Sequence, residues 1–194
     1  MNRLAALLVA AIALSGCAPL FTQSPGQGLS PVNAVSDGED KHLILFGHDV
    51  VSYFADGRHQ MGSAAHRSVY KGVTFRFASA EHKALFDAAP EKYIPQFGGY
   101  CANGIVYGIP WGGDADTWRI IGGKLYIFGG AGSRDAFLLD PAKNLALAHK
   151  YWDEEVNGSN AFWQRSKRLV FRVPHYKTGE ELAAEVARAK AAGK

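Results

Sequence analysis

Two cysteines, Cys17 and Cys101, and seven histidines, His42, His48, His59, His66, His82, His149 and His175, hold most of the reactive side chains of this 194-residue chain. A thiolate attacks disulfides and electrophiles and ligates soft metals, and it forms most readily beside a cation or a helix N-terminus. Cys101 lies in Gln96-Phe97-Gly98-Gly99-Tyr100-Cys101-Ala102, where the paired glycines permit close backbone approach and donor-rich turn geometry. The alternative role is that of a small buried hydrophobe. No two histidines stand in a His-x-x-x-His or His-Glu-x-x-His pattern, so a metal site would have to draw on distant segments. One cysteine with one or two histidines would suit copper or zinc.

Other chemistries lack their residues. Asp114-x-Asp116 has neither the glycine nor the closing glutamate of an EF-hand loop. Gly112-Gly113 and Gly129-Gly130 are not followed by the Lys-Ser/Thr of a phosphate-binding loop, and no serine sits in a Gly-x-Ser-x-Gly elbow. No nucleotide or flavin is indicated, and the balance leans away from an enzyme. Two cysteines are too few for a disulfide scaffold or a four-cysteine zinc site. A net charge of +3, from 21 basic and 18 acidic residues, is too weak to point to nucleic acid. With 47% hydrophobic and 20% charged residues, wholesale disorder is excluded.

The N-terminus assigns a compartment. Arg3 is followed by the apolar run Leu4 to Leu14, too short to span a bilayer, which takes about 20 residues. Leu14-Ser15-Gly16-Cys17 resembles the lipobox of bacterial lipoproteins. That resemblance implies cleavage after residue 16, lipidation of Cys17 with palmitate-class chains, and anchorage in the cell envelope. By the same resemblance, Ala18 at the next position implies sorting to the outer membrane, facing the periplasm. The expected partners are then membrane lipid at Cys17 and an envelope protein. A lipidated Cys17 leaves Cys101 as an odd thiol in an exported chain, the mark of a reactive, ligating or bridging cysteine.

The elements that must position these groups follow from hydrophobic period and caps. Residues 17–40, rich in Pro, Gly and Ser, are expected to be a flexible tether, with folded sequence from 41. Leu43 to Phe46 and Val73 to Phe77 are expected strands. Ser79 caps an expected helix over Ala80 to Ala89, with His82 on its apolar stripe. Trp118 to Ile121, Gly122-Gly123 and Lys124 to Phe128 form a hairpin pattern. Asp140-Pro141 opens a helix to about Val156. Leu169, Phe171 and Val173 suggest a late strand, with Arg165, Lys167, Arg168 and Arg172 as its solvated face or a contact with anionic membrane. Thr178 and Glu181 have capping-box spacing. The fold class is α+β: a single small domain with a short antiparallel sheet and several packed helices.

Several motifs in order resemble the YHS-domain family, in its exported branch. They are Gly47-x-Asp49-x-Val51-x-Tyr53-Phe54, Phe77-x-Ser79-x-Glu81, Phe86-x-x-x-Pro90-x-x-Tyr93, Pro95 through Ala102, Trp118, and Gly123-Lys124-Leu125-Tyr126. The resemblance runs from about Gly47 to Trp152 and divides the chain into a YHS-like domain over 41–156 and a strand-helix extension over 157–194. It implies a small α+β module binding a transition metal of the copper or zinc class. The cysteine pairs of metal-binding relatives are absent here, so the implied site centres on Cys101, with His48, Asp49 and His82 as partners. The rival expectations are a thiol-based redox protein using Cys101 and an interaction module without chemistry.

Overall fold

The computed structural model describes residues 29–193. Cys17, its lipobox and the first half of the expected tether lie outside the described residues. Among the described residues no helix is long and apolar enough to cross a membrane.

In chain order the strands are β1 (Ala34–Asp37), β2 (Asp40–Ile44), β3 (Ser63–Tyr70), β4 (Val73–Phe77), β5 (Asp114–Ile121) and β6 (Lys124–Phe128). The helices are α1 (Ser52–Ala55), α2 (Ala80–Ala88), α3 (Pro90–Tyr93), α4 (Ala102–Ile105), α5 (Ala131–Phe137), α6 (Pro141–Tyr151), α7 (Ala161–Val170) and α8 (Gly179–Ala191). One sheet has the order β1-β2-β4-β3, antiparallel except for the β2–β4 pair, and β5-β6 is a separate hairpin. This is the expected α+β domain.

β6 divides the interior. Strand side chains alternate between faces, so Leu125 and Ile127 join a first core with Tyr53, Phe75, Phe77 and Phe86, under the four-stranded sheet. Tyr126 and Phe128 face a second core with Phe97, Tyr100, Ile105 and Phe137, wrapped by helices. Val173 and Ala161 are buried in that second core, with Leu182 packed against it. The segment after residue 156 is therefore part of the domain rather than an appendage.

Three expectations need correction. The tether ends before residue 32: Val32 and Asn33 are buried, and Ala34–Asp37 pairs with β2. Asn33 is the reason. Its backbone donates to Gly98 O at 2.8 Å, and its side-chain amide donates to Gly99 O and Gly113 O. Gly98 permits the approach, since it has φ +60 and a Cβ there would sit 2.3 Å from Pro31 O. The apolar run from Leu43 leaves the sheet at Ile44, because Leu45 and Phe46 turn to positive φ. The late strand is a helix end: residues 161–170 form α7, and Phe171 follows it outside any strand.

Other expectations hold. Ser79 caps α2 by accepting from the His82 backbone N–H, Asp140 caps α6, and Thr178 and Glu181 form a capping box on α8. Pro90 ends α2 and also opens α3. The α6 pattern continues to Val156 through a π-helical turn.

Candidate functional site

Cys101 is placed by backbone geometry. Its N–H donates to Trp111 O at 2.9 Å, and it bridges to Ile127 of β6, so the residue is held against the wall between the two cores. α4 follows at once, with Ile105 N–H returning to Cys101 O. The residue is only 4% exposed, yet it lines a cavity of about 730 Å³. That volume is within the range of pockets that hold small organic molecules. The sulfur lies 3.0 Å from Ser133 Oγ on α5. Glycine keeps this floor open: a Cβ on Gly129 would stand 3.7 Å from the sulfur and 3.0 Å from Gly112 O.

The cavity walls come from three places. Ile109 and Trp111 follow α4, Ser133 and Asp135 belong to α5, and Tyr176, Leu182 and Val186 come from α8 and its approach. Most of this lining is apolar. The charged groups are tied down: Asp135 accepts from Lys190 at 2.8 Å and from Arg134, and these hydrogen bonds hold its carboxyl below the ordinary value. Lys177 reaches both carboxylate oxygens of Glu185. Burial, aided by Glu185, pushes the Tyr107 phenol up to about 12, so it presents a neutral hydroxyl. The result is a largely apolar chamber with the Cys101 thiol and the Ser133 hydroxyl at its floor, and the Tyr107 phenol and a Lys190–Asp135 pair in its walls.

The other candidate ligands lie elsewhere. Asp49 is fully buried and its carboxylate is consumed by structure. Oδ1 accepts from Val51 N–H at 2.8 Å and Ser52 N–H at 3.4 Å, while Oδ2 accepts from Ala78 N–H at 2.8 Å and His82 Nδ1 at 2.6 Å. His82 is thus the inward-facing histidine its helical position suggests, satisfied by a carboxylate rather than by a backbone carbonyl. Its Nε2 faces Asp56 at 3.7 Å. His48 places Nδ1 2.9 Å from Leu45 O and its ring 5.9 Å from that of His59. The structure brings Asp49 and His82 together, and neither they nor His48 line the Cys101 cavity. His66 lies in β3.

Copper or zinc at Cys101 would need further nitrogen, sulfur or carboxylate donors converging on the sulfur. Among the described residues no three His, Cys, Asp or Glu side chains form such a group. The donor set at Cys101, a thiol and a serine hydroxyl, does not fit the metal site that the YHS resemblance implies.

Sequence reasoning missed Ser133 and the α8 wall. Gly129-Gly130-Ala131-Gly132-Ser133 was legible as a small-residue approach to a helix, but its relation to Cys101 depends on a contact 32 residues away. Leu182 and Val186 stand four apart after the capping box, and that spacing marks an inward stripe. No family model matches the chain, and neither a curated protein nor a solved structure matches it.

Proposed function

We propose that this chain is an envelope lipoprotein, anchored through Cys17, whose domain holds a small, mainly apolar organic molecule against the Cys101 thiol. YHS-family membership and periplasmic placement are parts of this proposal and rest on the sequence motifs. The observation that carries the ligand reading is the cavity of about 730 Å³ with a sulfur at its floor and mostly apolar walls. Ordinary core cysteines pack against side chains on all sides. Here the thiol borders open space, with a serine hydroxyl within hydrogen-bond reach. That arrangement favours thiol chemistry or thiol recognition over the metal reading.

The chemistry within reach is exchange with a low-molecular-weight disulfide. The Cys101 thiolate attacks one sulfur, the S–S bond breaks, a mixed disulfide forms on Cys101, and the other half leaves as a thiolate that takes up the released proton. Ser133 Oγ is placed to donate to the thiolate before attack.

Native mass spectrometry of the purified full chain and of Cys101→Ser tests the reading, with copper and zinc measured on the same samples. The expected result is an organic adduct or noncovalent ligand on the wild type that is reduced or lost in Cys101→Ser. Stoichiometric copper or zinc that depends on Cys101, without an organic ligand, would contradict it.

A further inference from the structure

Helix α7 is amphipathic in the wrong direction for a core element. At 100° per residue, Phe162, Trp163, Ser166, Leu169 and Val170 share one side, and Ala161, Gln164, Arg165 and Arg168 share the other. The protein receives the polar side. Gln164 Nε2 donates to Gly108 O at 3.0 Å and to Glu155 at 3.1 Å, Arg165 donates to Pro110 O, and Arg168 and Lys167 close on Glu155. Apart from half-buried Phe162, the apolar residues of this side are left in solvent: Trp163 is 61% exposed, Leu169 52%, Val170 73%, and Phe171 just beyond the helix 68%. Scattered exposed hydrophobics need no explanation, but a contiguous group with a tryptophan marks an interaction surface.

We infer that this face of α7 lies on an anionic lipid surface, with Trp163, Leu169, Val170 and Phe171 entering the headgroup boundary. Three observations favour lipid. From Asn157 to Val173 the chain carries Arg165, Lys167, Arg168 and Arg172 and no acidic residue; Lys167 and Arg168 are paired with Glu155, and the positive excess that remains beside the apolar face suits an anionic bilayer. Arg172 stacks on the Tyr176 ring, at 4.6 Å to its centroid, with its charge uncompensated by that contact. The N-terminal end of the described chain is joined to this region, since Gly158 N–H donates to Ser30 O at 2.8 Å just ahead of the α7 cap. The inference rests on the Cys17 anchor of the proposed function for its geometry. The segment from Cys17 to Leu29 reaches at most about 40 Å even when fully extended, so an anchored chain keeps α7 close to the membrane. A basic, apolar surface would add a further membrane signal to the lipid on Cys17.

The test reconstitutes the full chain, as its bacterial host processes it, into phosphatidylcholine vesicles with and without phosphatidylglycerol. Brominated lipids quench tryptophan on contact, and the Trp163→Phe variant isolates Trp163 from Trp111, Trp118 and Trp152. Intact mass reads the state of Cys17 independently. The expected result is a quenched component that vanishes in Trp163→Phe, grows with phosphatidylglycerol and falls severalfold in Val170→Ser with Phe171→Ser. Those positions are exposed, and circular dichroism checks that the variants keep the fold. A chain lipidated at Cys17 but without Trp163-dependent quenching overturns the inference and leaves the anchor standing. Quenching of Trp163 in a chain without lipid on Cys17 supports the inference and overturns the anchor. A dimer or protein complex lost on Phe171→Ser, with no quenching in vesicles, overturns it in favour of a protein partner.

Discussion

Ser133 Oγ at 3.0 Å is the polar neighbour of the Cys101 sulfur, and a hydroxyl that donates to a thiolate stabilises it. Ser133→Ala should leave the fold intact and slow alkylation of Cys101 at fixed neutral pH by roughly threefold to tenfold, the equivalent of one ordinary hydrogen bond of about 1 kcal/mol. Stopped-flow alkylation of both proteins measures this, and equal rates would remove Ser133 from the site. Asp49 makes the opposite kind of prediction. Its removal strands the N–H groups of Val51, Ser52 and Ala78 and the His82 ring in a buried place. Asp49→Ala should destabilise the domain by about 3–5 kcal/mol, read by urea unfolding, with no effect on Cys101 alkylation in the folded state. Cys101, Asp49 and His82 carry chemistry that is visible in the sequence. What the sequence did not disclose was their company: a carboxylate and an imidazole 33 residues apart satisfy each other, whereas the thiol faces a cavity.

At the scale of elements, Glu155 fastens α7. Burial works to raise its carboxyl, but the hydrogen bonds from Gln164, Lys167 and Arg168 prevail and hold it below the ordinary value. A carboxylate with a depressed folded pKa contributes stability that is complete above its unfolded value, here 4.5, and is lost as pH falls through the folded value. Glu155→Ala should therefore cost about 1–3 kcal/mol at neutral pH through the unpaired donors, and its stability should fall less steeply than that of the wild type below pH 4.5. Thermal unfolding across an acid series provides the comparison. α7 also explains a misreading. Leu169, Phe171 and Val173 alternate like a strand, but Phe162, Trp163, Ser166, Leu169 and Val170 also repeat with helical spacing. The helical period won because Asn160 caps it, accepting from the N–H groups of Phe162 and Trp163, and Glu155 gathers its polar side. The hairpin, the Asp140 cap and the Thr178–Glu181 box were legible because their signals are local. β3 escaped notice because its residues are largely exposed and supply little hydrophobic alternation.

For the whole molecule, β6 is the organising element. Its alternation sends Leu125 and Ile127 to one core and Tyr126 and Phe128 to the other, and Cys101 bridges to it at Ile127. The α+β class could be read from mixed periods. The closure of the cavity by α8 could not, because it depends on a helix beyond residue 178 returning to a loop near residue 101. Domain boundaries drawn at 40 and 156 fail for the same reason: Asn33 braces the loop before Cys101, and Leu182 and Val186 wall the chamber after it. The central claim is that this chamber admits an apolar organic molecule to the Cys101 sulfur. The direct measurement is the labelling rate of Cys101 in the folded full chain by two aromatic disulfides of matched leaving group, one uncharged and one bearing carboxylates, each compared with its rate in urea. The account predicts that folding favours the uncharged reagent over the charged one and that the preference disappears in urea. A folded protein that resists both reagents, or reacts with them in the same ratio as the unfolded chain, would contradict it.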